Sequence, residues 1–201
     1  MDLDEQQRDQ LTAFTEAVAT SPHNLVSKRA RSELLSRHVP EAIALAGTLP
    51  PGPLRVLDVG TGGGFPGMVI AIVRPDLAVE LLDSTRKKTR FLEETAEALD
   101  VDVQVHTGRA EALGTGDLAG SFDVVTVRAV APLAQLVPWC APFLAPGGRL
   151  HAIKGDRWPE ELERAEAAIA RAGLTVAATP ADDGGSDEAT GLRVVMLQRL
   201  A

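Results

Sequence analysis

The chain has 201 residues, 45% hydrophobic and 24% charged, enough for one globular domain with a good core. A single cysteine, Cys140, excludes a disulfide framework or a Cys-rich metal site within the chain, and four scattered histidines form no zinc-binding pair, so no metal is expected. The net charge of −8 argues mildly against a nucleic-acid partner, the polar N-terminus is unlike a secretory signal, and no apolar run reaches membrane-spanning length. A soluble, cytoplasmic and monomeric protein with no membrane partner is therefore expected.

In chain order, residues 4–19 read as a first helix and 27–47 as a second helical segment, which Pro40 must kink or restart. "TLPPGP" (48–53) is a turn-rich linker. These residues divide the chain into an N-terminal helical extension, 1–49, and a domain, 50–201. From there strand and helix alternate: "LRVLDV" strand, "GMVIAIVR" helix, "AVELLD" strand, 85–99 helix, "VDVQVH" and "FDVVTVR" strands. "PLAQLVPWCAPFL" follows as a helix, then "RLHAIKG" as a strand and "PEELERAEAAIARAG" as a helix. Two last strands, "LTVAATP" and "LRVVMLQRL", flank the polar loop 181–191, which is expected to be mobile. Continuously apolar strands alternating with helices predict an α/β, Rossmann-like sheet, mainly parallel, with helices on both faces and one antiparallel strand at an edge.

The charge is unevenly spread. Residues 21–40 carry Lys28, Arg29, Arg31 and Arg37 against Glu33 alone, and "STRKKTR" (84–90) adds four more cations. A locally basic face and ordinary solvated helix faces are both consistent with this.

"VLDVGTGGGFPG" (56–67) falls in the loop after the first strand, where such sheets bind ligands. Gly62, Gly64 and Gly67 satisfy the dinucleotide pattern G-x-G-x-x-G. Asp58, Gly60, Gly62 and Gly64 satisfy acidic-x-G-x-G-x-G, typical of methyltransferases that use S-adenosyl-L-methionine. That cofactor has no pyrophosphate but carries a cationic amino group and a sulfonium, which Asp58 can serve. Pro66 lacks the N–H that a pyrophosphate would want near the helix start. The methyltransferase reading is favoured, and an NAD-dependent oxidoreductase stays open. Asp83, closing the second strand, can bond ribose hydroxyls in either case or cap the next helix. Glu111, with the Ala110 backbone beside it, can accept from an adenine amino group or serve as a first-turn acid.

The loop after the fourth strand, "VRAVAPL", has no Asn/Asp-Pro-Pro-aromatic and no cysteine, and no acid–base pair stands out. A nucleophile with a lone pair and no proton to lose, such as guanine N7, needs only alignment and electrostatic help. Arg128 and Lys154 end strands four and five and suit a phosphate or a carboxylate, although Lys154 also reads as a solvated strand end. A methyltransferase acting on a small-molecule or protein acceptor remains an alternative.

These residues resemble the bacterial 16S rRNA guanine-N7 methyltransferases, the glucose-inhibited division protein B family, over roughly 23–155. The carriers are "HNLVS", "SRHVPEAIAL", "LDVGTGGGFPGMVIAI", "LLDSTRKKTRFLEE", "GRAEAL", "FDVVTVRAVAPL" and "PGGRLHAIKG". The resemblance implies a class I S-adenosylmethionine-dependent methyltransferase fold and methyl transfer to guanine N7 of 16S rRNA, in the 30S subunit or its assembly precursor, leaving S-adenosyl-L-homocysteine. It implies that Gly60 and Phe65 bind the cofactor, that Ala110 and Glu111 hold its adenosyl part and that Arg128 lines the site, beside the cofactor-binding Asp58, Gly62, Gly64 and Asp83 read from the motif. Arg128, His38 and Lys154 would serve catalysis, Arg128 by positioning, without a general base. Asn24, Lys28, Arg37, His38 and Lys154 would meet the RNA. The chain departs from the family's His-x-x-Asp-Ser segment, having His38, Glu41 and Ala42, and from the aromatic residue before Asn24, having His23.

Overall fold

A computed structural model describes residues 2–128, 131–182 and 186–200, apart from the side chains of Lys28 and Arg29. The N-terminal part folds as α1 (Glu5–Thr20), α2 (Lys28–Ser32), a π-helical turn (Leu34–His38) and α3 (Val39–Thr48). Then follow β1 (Arg55–Val59), α4 (Gly67–Val73), β2 (Ala78–Asp83), α5 (Arg86–Leu99), β3 (Val103–Thr107) and α6 (Ala110–Leu113). β4 (Phe122–Arg128), α7 (Leu133–Cys140), β5 (Leu144–Ile153), α8 (Trp158–Arg171), β6 (Leu174–Ala178), β7 (Ser186–Asp187) and β8 (Leu192–Arg199) complete the chain.

The strands lie in the order β3-β2-β1-β4-β5-β8-β6, with β7 paired to β8 outside that path. The first five are parallel, and β8 runs antiparallel to both β5 and β6. The antiparallel strand is therefore not at the edge, as the sequence suggested. β8 inserts one place in, and β6 takes the rim. Burial explains the order: β8 buries Leu192, Val194, Val195 and Leu197, whereas β6 exposes its middle residues and suits an outer position. The polar loop before β8 is not wholly irregular, since Ser186 and Asp187 pair with Arg193 and Leu192.

Apolar clusters cover both faces of the sheet. On one face α7 and α8 pack over Leu57, Val125, Val127 and Leu150. On the other, α4 is apolar all round, with every residue buried. A helix of that composition needs cover on its outer side as well, and α1 and α3 supply it through Phe14, Val18, Leu45 and Ala46. α1 begins with a capping box between Asp4 and Gln7. Its glutamines also dock it, because the Gln7 and Gln10 side-chain amides donate to the last-turn carbonyls of Ile72 in α4 (3.1 Å) and Leu99 in α5 (2.9 Å).

Pro40 restarts the helix, as its ring demands. It sits in the first turn of α3, and the turn before it widens so that the N–H of His38 reaches back to the Glu33 carbonyl at 3.1 Å. That widening presents Arg37 and His38 at the carboxyl end of the sheet.

Candidate active site

The glycine loop leaves β1 and is tied to the end of β2. The N–H groups of Gly60 and Thr61 donate to the Leu82 carbonyl at 2.8 and 3.0 Å, and that of Gly62 donates to Asp83 Oδ2 at 3.0 Å. Gly60, Gly62 and Gly64 have φ of 70°, 59° and 95°, backbone that side chains rarely allow. Gly64 has a packing role. A Cβ there would stand 2.9 Å from both Leu92 Cδ2 and Phe14 Cζ, so the glycine lets α1 and α5 close on the loop.

Asp58 lies behind the loop. It has 0% exposure, its Oδ2 accepts from the Gly67 N–H at 2.9 Å, and its Oδ1 accepts from the Thr126 hydroxyl at 3.0 Å. Burial pushes its carboxyl up to about 6, against the hydrogen bonding around it and the charge of Arg128. The Thr61 hydroxyl stands beside it, but outside hydrogen-bond geometry. The sequence suggested that this acid serves the cofactor's cationic groups. The structure gives it a clamp between β1, β4 and the start of α4, because both its oxygens are turned inward.

Asp83 holds a comparable post at the end of β2, where it is buried and its Oδ1 accepts from the Thr85 N–H at 2.8 Å while Oδ2 takes Gly62. Ala110 and Glu111 open α6, beside the Gly108 N–H that donates to the Asp83 carbonyl at 3.1 Å. Ala110 is buried and Glu111 exposed. The structure thus brings the glycine loop, Asp83 and the α6 turn to one edge of the sheet.

A cavity of about 770 Å³ opens on the other side of the loop, within the range of small-molecule sites. Its walls are the backbone of Gly60–Gly63, the N-terminal segment from Leu25 to Glu41, and the ends of β4 and β5. Leu25 and Val26 lie directly on the loop, and a Cβ on Gly63 would meet Val26 Cγ1 at 2.9 Å.

Phe65, Arg128 and His38 meet at this cavity. The Phe65 ring is 5.1 Å from Phe14 and 6.2 Å from His38, and the Arg128 guanidinium lies over it at 5.6 Å. Arg128 Nη1 donates to His38 Nδ1 at 2.5 Å. Arginine has no acceptor, so Nδ1 accepts. Burial lowers the pKa of Arg128, with the charges of Glu41 and Asp58 opposing that effect.

Glu41, which sequence reading treated only as a departure from a motif, organises this group. It is buried, and it accepts from Arg37 Nε at 2.7 Å, with His38 Nδ1 at 3.6 Å and Arg128 Nη1 at 3.8 Å. Burial pushes its carboxyl up, but the Arg37 hydrogen bond and the charges of Arg37 and Arg128 oppose that, and the carboxyl lies below the usual range. The signal was present as helical spacing, since Arg37 and His38 precede Glu41 by four and three residues.

Lys154 does not project as a free cation. It is 8% exposed, and its Nζ donates to the Ala131 carbonyl at 2.9 Å and pairs with Glu161 at 2.9 Å. Glu161 also accepts from the Leu133 N–H at 3.0 Å, so the pair fastens the end of β5 to the start of α7. The chain folds back over this strand end and needs a donor for the Ala131 carbonyl. Arg37 is half exposed and paired with Glu41 and Glu33. Asn24 is exposed in a neighbouring groove, not in the cavity wall. The side chain of Lys28, and residues 129–130 of the β4 loop, lie outside the described residues.

A parallel sheet with a glycine loop at the carboxyl end of its first strand is an architecture that the class I S-adenosylmethionine-dependent methyltransferases share with dinucleotide-binding enzymes. A Methanococcus maripaludis protein assigned to the S-adenosyl-L-methionine-dependent methyltransferases superposes with a TM-score of 0.66 at 11% identity, covering 100% of this chain and 97% of its own. The T. thermophilus 16S rRNA N2 G1207 methyltransferase, solved with AdoMet and guanosine, gives 0.53 at 22% identity, over 81% of this chain and 39% of its own. The family model for rRNA small subunit methyltransferase G, GidB, matches residues 7–188, and the chain belongs to that family. Ribosomal RNA small subunit methyltransferase G of Halorhodospira halophila is 46% identical over 81% of this chain and 75% of its own length. Among the described residues no helix is long and apolar enough to cross a membrane.

Proposed function

We propose that the chain transfers a methyl group from S-adenosyl-L-methionine to N7 of a guanine in 16S rRNA, in the 30S subunit or its precursor. It acts as a cytoplasmic monomer and uses no general base. One observation carries this reading: among the described residues, each carboxylate lining the cavity stands in an ion pair. Glu41 holds Arg37, Glu161 holds Lys154, Asp156 pairs with Arg193 at 3.0 Å, and Glu33 pairs with Arg37 at 3.6 Å. His38 accepts from Arg128 at Nδ1, so that lone pair is taken as well. Guanine N7 has no proton to lose, and such a site suits it.

The residues present fit the cofactor. Positive φ at Gly60 and Gly62 leaves bare backbone against the cavity. Asp83, Ala110 and Glu111 would hold the adenosyl part, and Gly60, Thr61 and Phe65 the end nearer Arg128. When bound, the cofactor supplies an electrophilic methyl group on a sulfonium. Arg128, fixed by Phe65, His38 and Glu41, orients the acceptor base and shapes the field around it.

The test is transfer of labelled methyl groups to 30S subunits that lack the modification, with N7-methylguanine in 16S rRNA mapped by borohydride–aniline cleavage. Labelling at guanine N7 is expected. Transfer only to a protein or a small molecule, or tight NAD binding in a calorimetric titration, overturns the reading.

A further inference from the structure

The cations expected to meet RNA have partners inside the protein: Lys154 is buried on Glu161, and Arg37 lies on Glu41 and Glu33. A protein of net charge −8 that holds an rRNA needs phosphate contacts from elsewhere.

Three concavities adjoin one another. The first, about 480 Å³, lies between the end of α1 and α5, and its charged lining is Lys87, Arg90 and one acid, Glu94, with His23 beside them. The second, about 620 Å³, shares Ser21 and Pro22 with the first and adds Asn24 and Lys88, whose Nζ stands 3.7 Å from Asp83. It shares Leu25, Val26 and Ser27 with the active-site cavity. Through these shared residues they form a row of adjoining hollows, a segmented groove from the exposed face of α5 to the candidate active site.

The charge along this groove is unfavourable for the helix that carries it. The first turn of α5 holds Arg86, Lys87 and Lys88 and no acid, although the helix dipole favours acids there. Arg86 and Arg90 place like charges four residues apart. Arg86 and Lys87 are exposed, with no ion pair among the described residues. Arg90 pairs with Glu94 at 2.8 Å, but both side chains are largely in solvent, where such a pair contributes little. A polyanion laid along this face relieves both repulsions.

We propose that this groove is the path of the single-stranded RNA flanking the target nucleotide, with Lys87 and Arg90 as its phosphate contacts. The proposal rests on the reading of the substrate as rRNA. A basic groove of this kind follows a sugar–phosphate backbone without reading its sequence, and the cavity then receives the base.

The experiment compares the wild type with Lys87→Ala/Arg90→Ala and with a control, Arg164→Ala, on the exposed face of α8. Binding is measured against salt with a protein-free 16S rRNA fragment and with 30S subunits, beside methyl-transfer kinetics. The double variant is expected to lower the salt slope by about 1 to 2 on both RNAs and to raise KM for 30S about tenfold. Its kcat and its affinity for S-adenosylhomocysteine are expected to stay at wild-type values, and the control to change nothing. A wild-type slope and KM in the double variant overturn the path. Loss on 30S subunits but not on the protein-free fragment overturns it in favour of a ribosomal protein contact. A wild-type enzyme that methylates no RNA refutes the reading of function and removes the ground for the path.

Discussion

Replacing Asp58 by Asn separates a loop clamp from a cofactor ligand. Burial raises the carboxyl pKa of Asp58 from 3.8 to about 6. The folded protein thus holds this proton more tightly than the unfolded chain does. The ionised group therefore penalises folding fully above pH 6, progressively less as the pH falls, and not at all below 3.8. A gap of that size corresponds to about 3 kcal/mol. Asparagine keeps the shape: its oxygen can accept from the Gly67 N–H, and its amide can donate to the Thr126 hydroxyl. It loses the stronger hydrogen bonds of a charged acceptor, so the net gain at pH 8 is about 1 to 2 kcal/mol. For a chain of this size that is a rise in Tm of about 2 to 8 °C. Urea denaturation at pH 8 and pH 4.5 measures it, and the advantage of the variant should shrink toward the lower pH. Calorimetry with S-adenosylhomocysteine should give a Kd within a few-fold of wild type. An Asn variant less stable than wild type at pH 8 refutes the burial argument. A hundredfold loss of cofactor affinity in a stable variant shows that Asp58 faces the ligand after all.

Gly64→Ala places a methyl group against Leu92 and Phe14 in left-handed backbone. It should lower unfolding stability by about 2 to 4 kcal/mol in urea titrations. Glu41→Gln retains the shape of the side chain but removes the charge that gathers Arg37, His38 and Arg128. A fall in kcat of about tenfold is expected, with KM for the cofactor nearly unchanged, and steady-state kinetics reads the split. His151 is buried on β5 with both ring nitrogens unpartnered, and burial, helped by the charge of Arg149, pushes its pKa down to about 4. Its neutral form suits the fold, so its contribution is complete above pH 6.5 and is lost as the pH falls toward 4. His151→Leu should flatten that acid loss and raise the urea midpoint at pH 7 by an amount equivalent to about 1 to 3 kcal/mol.

The elements were legible because their periods and breakers are local. "GMVIAIVR" reads as a helix after a glycine loop, and Pro40 announces a break that the structure resolves as a π-turn. Strand order was less legible. Nothing local to "LTVAATP" or "LRVVMLQRL" says which lies at the rim, and their comparative burial decides it. The candidate site divides in the same way. The glycine loop and Arg128 were visible as motif and strand end, but the role of Asp58 depends on Thr126, 68 residues away. Lys154 looked free because Glu161 and the Ala131 carbonyl, which engage it, arrive only when α7 and α8 pack down.

The sequence by itself determined an α/β chain with a ligand loop after its first strand, since apolar periodicity and glycine content are properties of neighbouring residues. The tertiary structure decided which charges are free. Asp58, Lys154 and Arg37 are taken up by partners distant in sequence or folded onto the same turn, whereas Arg86 and Lys87 of α5 remain exposed and without an ion pair among the described residues. Whether a charge is available depends on what packs against it, and only the assembled chain supplies that.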